Sequence, residues 1–348
     1  MRLLDWYIAK HIWAAVAMVL LVILGLDLMT AIGSELDALD NGASLKQVLT
    51  YIGLTVPRRV YEFMPLTVLV GCLVGLGTLA NNSELTVMRA AGVSLWRIVW
   101  SVMQAVAIFV LVAAFVGEFV APKSQQMAEI EQAQYKGVAS SKGFWLRDKQ
   151  DYIFVRAVRP DGVLQGVSRY RFEGQDWQQT IVAEQGVYKH QAWSLQQLQK
   201  VWLQEQTIVQ QELQQMPWPV SLEPHLLSIL SMDPKYLALS DLLGYSQYLD
   251  QSGLDAAPYE LAFWKKILQP LATLALMFVA ISFVFGSTRS VTLGQRVLVG
   301  VMVGLAFNYA QEVLGPASSV FGFTPLLAYL LPILISLAGG AWLLRRVG

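Results

Sequence analysis

The chain has 348 residues, 55% of them hydrophobic and only 14% charged, with 25 basic and 25 acidic side chains and a formal net charge of zero. Soluble domains carry about 25% charged residues, so this is the composition of an integral membrane protein, and the balanced charge argues against a nucleic-acid surface. A single cysteine, Cys72, and three scattered histidines exclude a disulfide framework and a Cys/His metal knuckle.

The first apolar run, residues 12–32, follows Arg2 and Lys10 and is about a bilayer long. Its apolar core exceeds the ~7–15 residues of a signal peptide and more spans follow, so it reads as a signal-anchor helix. Asp27, Thr30 and Ser34 share a face of this helix. Polar groups within a membrane are costly and face protein or water, which makes these three candidates for lining a substrate cavity, with interhelical hydrogen bonding as the alternative. The acidic stretch "GSELDALDNG" comes next, as a loop.

The second run, 64–80, is preceded by "TVPRRVYEFMP". Arg58 and Arg59 suit an anionic substrate, phosphate above all, because guanidinium binds it in bidentate fashion. The alternative is an interfacial pair neutralised by Glu62 one turn on. "GLGTLA" within this run reads as a close helix-packing surface rather than a phosphate loop.

Between the second run and the third, 98–120, lies "ANNSELTVMRAAGVSLWR". Asn82 or Ser83 is placed to N-cap a short helix, Glu84 to favour its first turn and Gly92 to end it. Leu85, Met88, Ala91 and Leu95 fall near one face, with Glu84 and Arg89 off it. Such a helix either docks into a groove on a partner or lies among headgroups; the residues alone leave both open. In the third run, Glu118 reads as an interhelical hydrogen-bonding or interface-exposed group.

Residues 122–260 change character, becoming rich in Gln, Trp and Tyr. "GFWLRD", "DYIFVRAVR", "GVSRYRFEG", "QTIVAEQGVYKH" and "VWLQEQTIVQQEL" read as strands, with turn signals at Pro160-Asp161-Gly162 and Glu173-Gly174. An antiparallel β-sandwich or open β-roll is expected. Ser240 is expected to cap a short helix that Gly253 ends. Three further runs lie at 267–285, 297–314 and 325–344, and the fifth carries Asn308, Gln311 and Glu312 at i, i+3 and i+4 spacing, a second candidate cavity lining.

Six spans result. Arg2, Lys10, Arg89, Arg97, Arg289, Arg296, Arg345 and Arg346 gather on one side, which places both termini and the short helix in the cytoplasm and the central domain on the far side. No GxxxxGK[ST], HExxH or GxSxG pattern occurs. Nucleotide chemistry, where the function needs it, belongs to a partner.

Five segments carry a resemblance: "LLDWYIAKHIW", "VPRRVYEFMPLTVLVGCLVGLGTLANNSELTVMRAAGVS", "GEFVAPKSQQMA", "GFWLRD" and "FWKKILQPLATLALMFVAISFVFGSTRSVTLGQRV". Over essentially its full length the chain resembles the LptF/LptG family of lipopolysaccharide-export permeases, the LptG branch most, and "SELTVMRAAG" is the most specific match. The resemblance implies an α-helical membrane protein with six transmembrane helices and an inserted periplasmic β-jellyroll-like domain. Residues 1–121 would hold helices one to three with a coupling helix at 82–94, residues 122–260 the periplasmic domain, and residues 261–348 helices four to six.

It further implies a non-catalytic subunit of an ABC transporter that extracts lipopolysaccharide or lipooligosaccharide from the bacterial inner membrane. The partners implied are an LptF-like permease, an LptB-like ATPase dimer that carries the ATP and Mg, an LptC-like partner and an LptA-like periplasmic bridge; no cofactor is expected on the chain itself. Glu84 matches the acidic position of the family's coupling helix, with Ser83, Leu85, Met88 and Arg89 as flanking contacts. Arg58 matches a basic position at the outer end of span two. The basic residues that relatives carry after spans one and three are not matched by "TAIGSELDALDNG" and "QMAEIEQAQYKG". Beside Arg58, phosphate contacts would then be fewer, shift to Arg59 or Lys123, or come from the LptF-like partner; a lipid with fewer phosphates is equally consistent. The competing classes are a membrane scaffold with a partner-binding β-domain and a proton-driven transporter using Asp27 or Glu312.

Overall fold

A computed structural model describes residues 2–40, 43–136, 143–148, 150–159, 162–173, 176–189, 192–204, 207–220, 233–251, 255–286 and 292–347. Pro160, Asp161, Gly174, Gly253 and Arg289 lie outside the described residues. In chain order the elements are α1 (Arg2–Asp40), α2 (Leu45–Asn81), α3 (Glu84–Ala90) and α4 (Leu95–Phe115). A π-helical turn (Val116–Val120) joins α4 to α5 (Ala121–Lys136). Next come strands β1 (Phe144–Asp148), β2 (Asp151–Val158), β3 (Leu164–Glu173), β4 (Asp176–Lys189), β5 (Ala192–Gln204) and β6 (Thr207–Trp218). After the sheet come α6 (Leu239–Gln251), α7 (Ala257–Gly286), α8 (Leu293–Phe321) and α9 (Pro325–Val347).

Among the described residues six helical segments are long and apolar enough to cross a membrane, three before the sheet and three after it. They overrun the apolar runs that announce them. The 37 residues of α2 span about 55 Å at 1.5 Å per residue, nearly twice the hydrocarbon thickness. The acidic segment after the first run, expected as a loop, continues α1 as helix to Asp40. Buried Glu35 gives the reason, because it accepts a hydrogen bond from Gln132 of α5 at 3.1 Å.

The chain forms two compact units, one of Met1–Gly33, Thr55–Pro122 and Glu260–Gly348, the other of Ser34–Leu54 and Lys123–Tyr259. In the first unit small residues set the helix spacing, as expected where lipid removes the hydrophobic driving force between helices. A Cβ added at Gly71 would meet Val16, and one at Gly75 would lie 3.2 Å from the His11 carbonyl, so α2 presses its glycine pair onto α1. This is the packing role read for "GLGTLA". Gly300 and Gly304 admit Leu73, Leu66 and Leu69 in the same way. Pro65 in α2 cannot donate to the Tyr61 carbonyl one turn back, and Gln269 of α7 replaces the lost donor at 2.8 Å.

In the second unit the strands pair antiparallel in chain order, β1 to β6, as a meander. Alternation places Leu146, Ile153, Val155, Val167, Ile181, Ala183 and Leu198 on one buried face. On that face Asp151 takes Arg169 and Arg171, with Arg169 Nε at 2.8 Å and Arg171 Nε at 2.7 Å. Burial alone would raise the Asp151 carboxyl, but hydrogen bonds from Arg171 and Arg169 outweigh it and hold the group below its ordinary value. The expected "VWLQEQTIVQQEL" strand is two, the end of β5 and the start of β6. The rest of β5, "AWSLQQLQK", escaped sequence reading because glutamines break its apolar alternation. Pro217 is tolerated because β6 is an edge strand. Ser240 lies inside the first turn of α6 rather than at its cap.

Candidate functional site

The short connection between α2 and α4 is built residue by residue. Asn82 still donates backbone N–H to Thr78, so α2 runs out without a break in hydrogen bonding. Ser83 then turns the chain with φ of 60°, in the left-handed region, and its hydroxyl caps nothing. The expected side-chain cap is therefore absent: a left-handed residue cannot aim its Oγ along the new helix as an extended N-cap residue does. Asn82 instead donates Nδ2 to Glu84 Oε1 at 3.3 Å.

The far end matches expectation. Gly92, at φ of 88°, donates to the Arg89 carbonyl at 3.0 Å, and Val93 donates to the Met88 carbonyl at 3.1 Å. These are the paired bonds of a Schellman stop, and they need a residue that accepts positive φ. Leu85 is buried and Met88 packs against the same apolar core, while Thr86, Val87, Arg89 and Ala90 are exposed, Val87 at 66%. Ala91, expected inward, is exposed because the helix has already ended. Leu95 is buried as expected, and Ser94 caps α4 by accepting from the Arg97 N–H at 3.3 Å.

Two side chains from α1, Tyr7 and Asp5, hold this corner. The Tyr7 hydroxyl donates to Glu84 Oε2 at 2.7 Å. Arg97 Nη2 donates to Asp5 Oδ2 at 2.6 Å, and the Ser101 hydroxyl donates to the other Asp5 oxygen. The Tyr7 bond, helped by Asn82 and the nearby His11, holds the Glu84 carboxyl below its ordinary value. Glu84 is thus charged, oriented and open to solvent. Neither Tyr7 nor Asp5 was singled out from sequence, and no local pattern could have done so across 77 and 92 residues.

The arginine pair sits inside α2 rather than at a helix end. Arg59 donates Nε to Thr55 Oγ1 at 3.0 Å and Nη1 to Asp27 of α1. Arg58 faces Glu62 more loosely, at 3.7 Å. Two guanidiniums therefore meet two carboxylates. Thr30, exposed, donates to the Asp27 carbonyl at 2.7 Å, and Ser34 is exposed one turn on. Lys123 is exposed on α5, in the second unit.

On α8, Asn308 and Glu312 are exposed but Gln311 is buried, so the three do not form one open face. At 3.6 residues per turn Gln311 lies at one edge of the arc the three span, where it is buried while Asn308 and Glu312 stay open. Glu118, in the π-helical turn, pairs with Lys266 of α7 at 3.0 Å. Gly117 beside it lies so close to the Tyr61 ring that a Cβ would overlap it. A π turn inserts one residue into a helix and so re-aims the turns C-terminal to it. Among the described residues no group of three His, Cys, Asp or Glu side chains is placed to hold a metal ion.

Comparison with known proteins fits this geometry. The family model described as lipopolysaccharide export system permease LptF/LptG matches residues 6–346. The LptG permease protein of Escherichia coli K12 is 34% identical over 352 residues, covering 99% of this chain and 98% of that protein. That of Haemophilus influenzae Rd is 32% identical over 354 residues, with the same coverage. The LptF permease protein of Escherichia coli K12 is 26% identical over 197 residues, covering 50% of this chain and 53% of its own length. The chain belongs to the LptF/LptG family of lipopolysaccharide export system permeases, and it is a multi-pass membrane protein.

Proposed function

We propose that this LptF/LptG family member is the LptG-type subunit of an ATP-driven exporter that lifts lipopolysaccharide, or a lipooligosaccharide, out of the bacterial inner membrane. In this reading residues 82–94 face the cytoplasm and couple the chain to a separate LptB-like ATPase dimer holding ATP and Mg. An LptF-like permease completes the membrane portion. The domain at 122–260 lies in the periplasm and passes lipid to an LptC-like partner and an LptA-like bridge, and residues 1–121 and 261–348 form the two membrane halves.

The observation that carries the reading is the presentation of Glu84. A seven-residue helix has too little propensity to persist alone. Here it is stopped at Gly92, seated through Leu85, and bonded to α1 through Tyr7, with Val87 and Arg89 left facing outward. That is the construction of a joint that transmits force to a partner, not of a linker. Ser83, Leu85 and Met88 fix its pose, and Glu84 and Arg89 offer opposite charges to the ATPase.

Exposed Asn308 and Glu312, with Asp27, Thr30 and Ser34, give polar points on helices that otherwise bear Met29, Met302, Leu305 and Val313 outward. Polar groups at membrane depth require protein or water beside them, which favours a cavity shared with the second permease. Acyl chains would occupy its apolar wall and headgroup phosphates would meet Arg58 and Arg59, while Lys123 offers a basic contact of its own on the second unit. Each buried methylene is worth ~0.8 kcal/mol, so moving several chains out of lipid needs both such a wall and ATP.

The test is transport. Proteoliposomes carrying the chain with its permease and ATPase partners and loaded with lipopolysaccharide should release it to a soluble periplasmic acceptor only with ATP and Mg. Release that persists without ATP but stops when a proton gradient is collapsed would replace this reading with the proton-driven one.

A further inference from the structure

We propose that Asp27 sets the charge selectivity of the Arg59 site, admitting phosphomonoester headgroups and turning away singly charged phosphodiester lipids. The inference rests on the reading of Arg58 and Arg59 as a phosphate-binding rim.

The geometry behind it is an occupied site. Thr55 is fully buried and takes Arg59 Nε, which fixes the guanidinium from behind. The opposite edge, at Nη1, goes to Asp27 Oδ2, and this pair is held between α1 and α2 with side-chain exposures of 12% for Arg59 and 25% for Asp27. The neighbouring Arg58 makes a longer contact, 3.7 Å, to Glu62, whose side chain is 41% exposed. The four charges sum to zero. A phosphate arriving here does not find a vacant cation; it must take Arg59 from Asp27 and can push Glu62 into water with less effort.

Whether the exchange proceeds depends on the charge of the newcomer. A phosphodiester carries one negative charge, the same as the carboxylate it would replace. Substituting one for the other gains no Coulomb energy and leaves Asp27 beside the membrane without its counterion, a costly state. A phosphomonoester carries about −1.5 to −2 at pH 7 and offers three acceptor oxygens. It can take Arg58 and Arg59 together through charge-assisted bonds. Asp27 is then a device of specificity by competition, in which the wrong ligand is refused by a group already in place. Bulk anionic phospholipids are phosphodiesters, and a permease whose rim bound them would be filled by its own membrane.

The experiment compares two lipids with identical acyl chains, dioleoyl phosphatidic acid and dioleoyl phosphatidylglycerol. Binding is read by native mass spectrometry on the full-length chain in its detergent-solubilised complex. The wild type should favour phosphatidic acid by about tenfold, the worth of one charge-assisted bond. Asp27→Asn keeps the shape and one acceptor but removes the charge, and should raise phosphatidylglycerol binding until the preference falls below about twofold. Asp27→Glu should keep the preference, and Asp27→Ser supplies a second neutral side chain should asparagine impair assembly. Excess inorganic phosphate should leave lipid binding unchanged, which separates a headgroup site from a free-anion site.

An unchanged preference in the neutral variants, with phosphatidic acid binding lowered by Arg59→Gln, would overturn the role of Asp27 and leave the rim intact. Phosphatidic acid binding indifferent to both Arg59→Gln and Arg58→Gln would overturn the rim itself.

Discussion

Glu84 and Arg59 are both charged groups held by a side chain from α1, yet the holding differs in kind. Glu84 is gripped by a neutral hydroxyl, Tyr7, and keeps its charge in solvent. Arg59 is gripped by a carboxylate, Asp27, and is neutralised where it stands. In the function proposed above, the first arrangement would present a charge to a partner, and the second would withhold one until a stronger ligand displaces the carboxylate. Asp151 of the sheet extends the second class, since it is covered by Arg169 and Arg171.

The contrast makes unequal demands on stability, and removing partners exposes the difference. The largest effect belongs to Asp151→Ala. It strands the buried Arg169 guanidinium on the apolar face of the sheet, and breaking a buried pair from one side costs about 3–5 kcal/mol. Chemical denaturation followed by fluorescence of Trp193 and Trp218 should show the sheet unit melting at markedly lower denaturant. The carboxyl is held below its ordinary value, so the pair's contribution is complete above the usual carboxylate range. It fades as pH falls through the depressed value; sheet stability in the wild type, but not in the variant, should decline along that slope.

A packing change at the same helices separates charge from fit. Gly117→Val drives a branched side chain into the Tyr61 ring, and overpacking of this kind costs about 1–3 kcal/mol. Thermal unfolding in detergent should register it, and restoring room with Tyr61→Ala in the same chain should recover part of the loss. No recovery would show that the π turn, rather than the ring contact, needs the glycine.

The smallest change is Tyr7→Phe. It removes one hydroxyl from an exposed bond, so folding should be indifferent while retention of the ATPase weakens a few-fold. The Tyr7 bond favours ionised Glu84. Its loss should raise the Glu84 titration midpoint toward the ordinary glutamate value of about 4.3, read by NMR of carboxyl-labelled protein. An unmoved midpoint would mean that Tyr7 positions nothing.

These pairings also mark where sequence reading stops. The six spans were legible because about twenty apolar residues cannot be hidden in a chain, and β1 to β4 because their side chains alternate, whereas the glutamines of β5 broke that signal. Gly92 was legible as a stop, since few other residues accept its φ. Asn82 and Ser83 looked like caps because capping residues and left-handed turn residues overlap in type. The helical course of "GSELDALD" was lost because the partner that sustains it, Gln132 bonded to Glu35, lies 97 residues away. Asp27 and Arg59 were both singled out, one for the cavity and one for phosphate, but their pairing is a tertiary fact that no spacing encodes. The same holds for Tyr7 with Glu84: each residue is ordinary in its own segment, and the site exists only where α1 passes α3.

The central claim, that the short helix after α2 is the joint to an ATPase, is tested most directly by co-purification. Tagged wild-type chain and Glu84→Lys are extracted in mild detergent and the bound subunits quantified. The account predicts an ABC ATPase and a second, similar permease with the wild type, and loss of the ATPase alone with Glu84→Lys, the permease partner remaining. An ATPase retained in full by Glu84→Lys, or missing from the wild type while the permease pair survives extraction, would contradict it.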